Sequence, residues 1–210
     1  EGLKVETGNG VLTVTPFWKD GRVVKATVSM GQPEFRWKQI PINTYEASVR
    51  DNRDLNEALL ESLGLRFDYI FFEGRLLNTK DHRVQVTGVS VGNPHAVQFL
   101  SDPIETFPLD EVGPLVEWNT AFPNQVNYHI VNLYNRGALS MRSWERGAGE
   151  TLACGTGACA SVVAARLHNY VDDTVKVHIP GGELTVTWNG EGPVYLEGPV
   201  EEVFSGTWPN

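Results

Sequence analysis

Residues 155–170 constrain the fold of this chain more than any other stretch, because they predict a helix with no polar side. Small and apolar side chains cover every face of this helix, and Arg166 is its one charged residue. A helix that is apolar all round has to be buried. Strand patterns lie before and after it in the chain, so the helix is expected to be enclosed by sheet. Its apolar residues are Ala158, Ala160, Val162, Val163, Ala164, Ala165 and Leu167.

Alternating apolar and polar residues predict the strands of that sheet. Residues 11–28 predict two strands joined by a turn at Asp20-Gly21, and residues 175–188 predict a hairpin across Pro180-Gly181-Gly182. Further strands are predicted at 83–91, 96–100, 126–133 and 138–144, and one short surface helix at 52–63. The fold class expected is α+β, with a curved, mostly antiparallel or mixed sheet wrapped around a central buried helix.

Composition narrows the class of protein. The chain has 210 residues, of which 41% are hydrophobic, enough for one large core or two modest ones. The net charge of -9 repels phosphate backbones and anionic lipid, so nucleic acid and membrane partners are not expected. The 2 cysteines lie five residues apart and do not form a disulfide framework, so a reducing, cytoplasmic location is expected.

The chemistry is expected where a polar, glycine-bearing loop leads into the buried helix. Cys154 stands at the start of that helix, where free N–H groups and the helix dipole favour a thiolate and a bound carboxylate. The thiol pKa, about 8.5 when unperturbed, is expected to fall there. Gly155 and Gly157 are expected to let a ligand approach the backbone. A buried structural cysteine is the alternative for Cys154, and a structural role is expected for Cys159.

Several motifs resemble those of the diaminopimelate epimerase family. Residues 145–160 resemble the family's second cysteine motif, residues 92–95 its Gly-Asn-Pro-His loop, and residues 122–127 its segment with a substrate-binding Asn. Residues 180–182 and 198–206 also match in order and spacing. The resemblance therefore runs nearly end to end, although residues 43–74 contribute little.

The resemblance implies an isomerase that inverts one α-carbon of diaminopimelate between the LL and meso forms, a step toward lysine and peptidoglycan precursors. It implies no pyridoxal phosphate and no metal, and two thiols that act from opposite faces of the substrate. Cys154 would be one thiol, Glu145 would shift its proton, and His95 would serve the other cysteine. A homodimer is compatible with this reading. The substrate would be bound by Asn93, Asn127, Glu145, Arg146, Gly155 and Thr156.

One departure from the family is serious, because its first catalytic cysteine stands in a Cys-Gly-Asn-Gly motif that this sequence lacks. Gly8-Asn9-Gly10 follows Thr7 instead. Cys159 cannot replace that thiol, because it follows Cys154 on the same helix. The chain also opens at Glu1 without a Met, so we expect the natural start to lie upstream and this chain alone to be inactive.

Two similar lobes are expected, with the active site between them. The first lobe would be represented only by residues 1–33 and 197–210, and residues 34–196 would form the second. Because half of one lobe would be absent, its remaining strands are expected to expose apolar edges.

Three alternatives compete with this reading. Residues 155–160 fit the dinucleotide pattern Gly-x-Gly-x-x-Ala, but that site needs a strand running straight into the turn and a parallel strand after the helix. Here a polar loop precedes the helix and an antiparallel hairpin is predicted after it. A non-catalytic amino acid binding module is the second alternative, and a related proline racemase or hydroxyproline epimerase is the third. Solvated or structural roles are expected for the other histidines, His82, His129, His168 and His178.

Overall fold

The computed structural model describes residues 2–8, 10–36, 38–43, 71–74 and 84–207, with only the backbone of 71–74. The predicted helix at 52–63 lies outside these residues. The described strands are β1 (Leu3–Thr7), β2 (Gly10–Lys19), β3 (Arg22–Ser29), β4 (Phe71–Gly74), β5 (Val84–Ser90), β6 (Pro94–Phe99), β7 (Asn127–Asn135), β8 (Ala138–Glu145), β9 (Gly149–Thr151), β10 (Thr174–Ile179), β11 (Gly182–Thr187) and β12 (Tyr195–Pro199). The described α-helices are α1 (Leu109–Glu117) and α2 (Gly155–Leu167).

The described strands form one mixed sheet. Its strand order is β1-β2-β3-β12-β11-β10-β8-β7-β6-β5-β4, and β9 pairs with β8 beside this path. The pairs β6–β7 and β8–β10 are parallel, and the other pairs are antiparallel. The predicted α+β class with a mostly antiparallel or mixed sheet is therefore confirmed.

Helix α2 lies at the centre of this sheet. It begins at Gly155, as predicted, and 10 of its 13 residues are buried. It contacts strands β5 to β8 and β10 to β12. It ends three residues earlier than predicted, because Asn169 takes a left-handed φ of 57°. The N–H of Asn169 then bonds to the Arg166 carbonyl and that of Tyr170 to the Ala165 carbonyl, a Schellman ending.

The two faces of the sheet hold separate cores. Helix α2 covers one face and packs with apolar side chains of β6, β7 and β8. Helix α1 covers the other face, where Ala96, Tyr128 and Ile130 are buried. The side chains from β6, β7 and β8 beneath α2 are Val97, Val131, Leu139 and Met141.

Strand alternation brings the polar residues of the central strands onto the α2 face. Successive side chains in a strand point to opposite faces, so every second residue shares a face. His95 lies two residues before Val97, and Glu145 lies four after Met141. Asn127 pairs with His95, and Ser143 lies opposite His129. The sheet therefore presents these five polar side chains toward the beginning of α2.

The parallel pairing of β8 and β10 differs from expectation. The predicted hairpin of β10 and β11 is present, but β10 also runs parallel to β8 on its other side. The expectation that no parallel strand follows the helix was therefore wrong. The other requirement of a dinucleotide site is still not met. The strand before α2 is β9, which has 3 residues and pairs antiparallel to β8, and residues 152–154 separate it from the helix.

Helix α1 was not predicted, because its sequence contains Gly113-Pro114, a pair that usually interrupts helices. The structure explains the glycine. A Cβ at Gly113 would lie 2.4 Å from Cδ2 of Trp144, so only glycine lets the helix approach the indole.

No helix among the described residues is long and apolar enough to cross a bilayer.

Strands β1 to β3 carry exposed apolar side chains, as expected. The turn between β2 and β3 has left-handed φ angles at Asp20 (50°) and Gly21 (77°), which fits a type I′ hairpin. Phe17 is 54% exposed and Trp18 is 63% exposed. Because β12 joins β3 to β11, the last described strand connects this region to the rest of the sheet. The division into residues 1–33 with 197–210 and residues 34–196 stays a prediction.

Replacing Gly113 by Ala tests the packing of α1 against the indole of Trp144. The added methyl group should lower the free energy of unfolding by about 1 to 2 kcal/mol, since overpacking costs more than the helix propensity of Ala returns. Chemical denaturation measures this change. Gly137→Ala is the matched control, because its Cβ would meet Asn135 Oδ1 at an ordinary 3.5 Å. An unchanged or higher stability for Gly113→Ala would contradict the packing described.

Candidate active site

Cys154 occupies the position immediately before α2. Its backbone is extended, with φ -133° and ψ 101°, and its carbonyl accepts the first helical hydrogen bond, from the N–H of Ala158. The side chain is buried and only 4% of the residue is exposed. Its Sγ donates to Oε2 of Glu145 at 3.2 Å and lies 3.7 Å from Oγ1 of Thr156. The predicted placement of Cys154 at the helix start is thus what the structure has.

Glu145 is held toward the thiol by a second hydrogen bond. It is the last residue of β8, and the antiparallel pairing with β9 places it opposite Gly149. The hydroxyl of Thr151 donates to Oε1 of Glu145 at 2.5 Å, while Oε2 accepts from Cys154. Both carboxylate oxygens therefore have partners, and the side chain is partly buried rather than free in solvent.

The electrostatics of Cys154 differ from the expectation. Burial raises the pKa of its thiol to about 11. The hydroxyl of Thr156 lowers this pKa, and the nearby Glu145 raises it further. The backbone N–H of Gly157 lowers the pKa, but by less. The expected fall of the pKa was wrong for this state, because desolvation of the charged sulfur outweighs the favourable contacts at the helix start. Cys154 is a thiol that donates to a carboxylate.

The two glycines at the start of α2 make room for protein side chains. A Cβ at Gly157 would lie 2.4 Å from Cε1 of His129, and one at Gly155 would lie 3.0 Å from Cδ2 of Leu196. We expected these glycines to admit a ligand. That expectation stays a prediction, and the structure shows that the glycines also let strand side chains pack directly against the first turn of the helix.

His95 is fully buried and belongs to a chain of hydrogen bonds. It lies in β6 rather than in the preceding turn, and its exposure is 0%. Its Nε2 lies 2.9 Å from Oδ1 of Asn93, and its Nδ1 lies 2.8 Å from Nε2 of His129. Nδ1 of His129 lies in turn 2.9 Å from the hydroxyl of Ser143. Four side chains from three strands and one turn are thus connected.

Both buried imidazoles are neutral at ordinary pH. Burial lowers the pKa of His95 well below its usual value, and neighbouring His129 and Arg146 lower it further. Burial also lowers the pKa of His129 to about 3. The desolvated interior disfavours the charged ring. Each ring therefore carries one proton, on one of its two nitrogens.

Asn127 and Arg146 connect the His95 strand to the Glu145 strand. Asn127 donates from Nδ2 to the carbonyl of Pro94 at 2.9 Å and accepts at Oδ1 from the N–H of Arg146 at 3.1 Å. The guanidinium of Arg146 donates to the carbonyl of Asn124 at 3.0 Å, and the residue is exposed. Asn127 therefore connects the backbone at Pro94, beside Asn93 and His95, to the backbone at Arg146.

The remaining histidines and Cys159 take structural or surface positions among the described residues. His168 is buried and lies 2.9 Å from the hydroxyl of Thr87, while His178 is partly exposed beside Glu183. Cys159 is fully buried in α2, and burial raises the pKa of its thiol. The predicted structural role of Cys159 agrees with this position. His82 lies outside the described residues.

Sequence reasoning missed Thr151, His129 and Ser143. The signal for His129 was available, because it alternates with Asn127 on β7 and so had to share its face. The same signal was available for Ser143, which alternates with Glu145 on β8, whereas Thr151 lies in the 3-residue strand β9, which was not predicted. Two cavities lined by described residues, of about 670 and 630 Å³, lie beside Trp18 and beside Trp118, and neither is lined by Cys154.

Comparison with known proteins identifies relatives along nearly the whole chain. The family described as Diaminopimelate epimerase matches residues 87–203. A diaminopimelate epimerase of Pelotomaculum thermopropionicum is 37% identical over 99% of this chain and 65% of its own length. One from Ralstonia nicotianae is 42% identical over 98% of this chain and 63% of its own length. The chain therefore spans slightly less than two thirds of these relatives.

Solved structures confirm the fold. A probable proline racemase from Agrobacterium radiobacter K84, with bound carbonate, has a TM-score of 0.60 at 15% identity, covering 95% of this chain and 57% of its own. A hydroxyproline epimerase from Agrobacterium vitis, with bound trans-4-hydroxy-L-proline, has a TM-score of 0.58 at 14% identity, covering 94% and 56%. At these identities the similarity concerns the fold alone.

Replacing Glu145 by Gln tests the electrostatics at Cys154. Removing the carboxylate should lower the thiol pKa from about 11, because the neutral amide no longer repels the thiolate. The thiolate should then form at lower pH, which its ultraviolet absorbance measures in a background carrying Cys159→Ala. Glu150→Gln is the control, since Glu150 pairs with Arg142 at 2.8 Å and should leave the titration unchanged. A pKa that stays or rises in Glu145→Gln would refute the contact.

Proposed function

The chain belongs to the diaminopimelate epimerase family, and we propose that its protein interconverts LL- and meso-diaminopimelate without a cofactor. In this reaction one α-proton leaves from one face of the carbon and another arrives on the opposite face. Cys154 serves one of the two faces. The observation that carries the proposal is the contact between the Cys154 thiol and the Glu145 carboxylate at the start of a buried helix.

The Cys154–Glu145 pair can serve both directions of the reaction. As an acid, the thiol donates its proton to the substrate carbanion and becomes a thiolate. As a base, Cys154 first passes its proton to Glu145, and the thiolate then removes the α-proton, which ends on Sγ. Thr151 keeps the carboxylate aimed at the sulfur through its 2.5 Å hydrogen bond. General acid–base catalysis needs this placement of donor and acceptor within hydrogen-bond reach.

The raised thiol pKa suits this chemistry. An α-proton of an amino acid is a very weak acid, so a base that is to remove it gains from a high pKa of its conjugate acid. A buried thiolate is a stronger base than a solvated one, because water no longer stabilises its charge. Carbanion charge that spreads onto the substrate carboxylate would meet the N–H groups of Gly155 and Thr156, at the positive end of α2.

The other substrate contacts are proposed from the resemblance to the family's motifs and from the positions of the residues. Arg146 is exposed next to Glu145 and offers paired N–H donors to a carboxylate. Asn93 lies in the turn before β6 and Asn127 begins β7, and an Asn side chain can donate to a carboxylate or accept from an ammonium group. His95 serves the opposing thiol. The substrate lies between the lobe of residues 34–196 and the lobe that includes 1–33 and 197–210.

The opposing thiol has to come from outside this chain's sequence. Its other cysteine, Cys159, is fully buried five residues along the same helix as Cys154 and cannot reach the opposite face of a substrate. The family carries that thiol in a Cys-Gly-Asn-Gly motif, which this chain lacks. We therefore propose that this chain alone does not epimerise its substrate. We propose also that the complete protein acts in the cytoplasm, supplying lysine and peptidoglycan precursors.

Replacing Cys154 by Ala in the complete protein tests the proposed function. Epimerisation of diaminopimelate in deuterated water should fall by about 10²-fold or more, since one of the two proton carriers is lost. Nuclear magnetic resonance follows deuterium incorporation, and chiral chromatography follows inversion. Cys159→Ala is the matched control and should retain activity, because its sulfur lies within the core.

Two outcomes would overturn the proposal. Full epimerisation by Cys154→Ala would remove this thiol from the mechanism. If the wild-type protein inverted L-proline or hydroxyproline faster than diaminopimelate, its substrate would be that of the structural neighbours instead.

A further inference from the structure

We infer that His129 is a positioning residue that fixes the proton of His95 on Nε2 and couples His95 to the helix that carries Cys154. The tautomer follows from the hydrogen bonds of two buried, neutral rings. Its consequence for catalysis rests on the proposed function.

The direction of each hydrogen bond in the buried chain follows from its outer end. Oδ1 of Asn93 can only accept, so Nε2 of His95 has to carry the proton at this 2.9 Å contact. Because the His95 ring is neutral, its Nδ1 is then an acceptor. Nε2 of His129, 2.8 Å away, must therefore donate to it.

The inner end of the chain completes the assignment. With its proton on Nε2, neutral His129 has an acceptor at Nδ1, and the hydroxyl of Ser143 at 2.9 Å donates to it. All the donors therefore point from Ser143 through His129 and His95 to Asn93. Reversing every donor would leave Nε2 of His95 without a proton, so its lone pair would face Oδ1 of Asn93.

His129 also packs against the opposite half of the site. A Cβ at Gly157 would lie only 2.4 Å from Cε1 of His129, so the first turn of α2 packs directly against the ring. The backbone N–H of the same Gly157 lowers the pKa of the Cys154 thiol. One buried imidazole thus touches the His95 strand on one side and the turn that holds Cys154 on the other.

This arrangement matters for the proposed reaction because His95 presents a fixed donor edge toward Asn93. A ring free to change tautomer would present a donor and an acceptor in turn, and would orient a neighbouring thiol or substrate group less well. The charged group that bears on His95 from outside the chain of hydrogen bonds is Arg146. His129 acts through His95 and does not touch the reacting atoms.

The tautomer is tested directly by nuclear magnetic resonance of the complete protein labelled with ¹⁵N-histidine. We expect a proton on Nε2 and a bare Nδ1 for both His95 and His129. His129→Gln, which keeps an N–H donor, should preserve the Nε2 tautomer of His95, whereas His129→Leu should give a mixture of both tautomers. A proton on Nδ1 of His95 in the wild-type protein would overturn the inference.

A second pair of variants covers the case in which His129 cannot be replaced without unfolding. Ser143→Ala removes the donor to His129 and should shift the Nδ1 resonance of that ring. Ser140→Ala is the matched control on the same strand, because the described chain offers its buried hydroxyl no hydrogen-bond partner. Equal spectra for the two variants would contradict the assigned donor.

Activity separates this inference from the proposed function. His129→Leu should lower kcat for diaminopimelate about tenfold or more at unchanged KM, and His129→Gln should restore most of it. A rise in KM with unchanged kcat in His129→Leu would count against a positioning role. If the wild-type protein does not epimerise diaminopimelate, the proposed function fails, while the resonances still decide the tautomer.

Discussion

The structure depends on the burial of α2 against one face of a mixed sheet. The helix has apolar or small side chains all round, and burying them removes a large apolar area from water. Because strands from both sides of the helix in sequence contact it, the position of its first turn is fixed by the whole core. Cys154 is therefore held in place by packing, and Glu145 reaches it from the neighbouring strand pair β8–β9.

The same burial controls the chemistry. A helix start favours negative charge, but Cys154 lies where water is excluded, and desolvation prevails and keeps the sulfur protonated. The thiol is thus an acid whose conjugate base is strong, with a carboxylate beside it to accept the proton. The buried histidines follow the same rule, because their neutral rings can form a directed chain of hydrogen bonds only while uncharged.

The sequence predicted this framework where local patterns carry the information. The apolar pattern predicted the start of α2 to the residue, and alternation predicted the hairpins of β2–β3 and β10–β11. Helix α1 was missed because the reason for Gly113 lies in Trp144, which is distant in sequence. The thiol pKa, the parallel β8–β10 pairing and the link from His95 to His129 were missed for the same reason, since each depends on tertiary burial and on which strands become neighbours.

The most direct test of the central claim is a crystal structure of the complete protein with bound diaminopimelate. The account predicts that one α-carbon lies about 3 to 3.5 Å from Sγ of Cys154, as a reacting pair requires. Its carboxylate should lie on the N–H groups of Gly155 and Thr156, and Glu145 should remain in contact with the sulfur. A substrate bound elsewhere, or with its α-carbon on the far side of α2 from Cys154, would contradict the account.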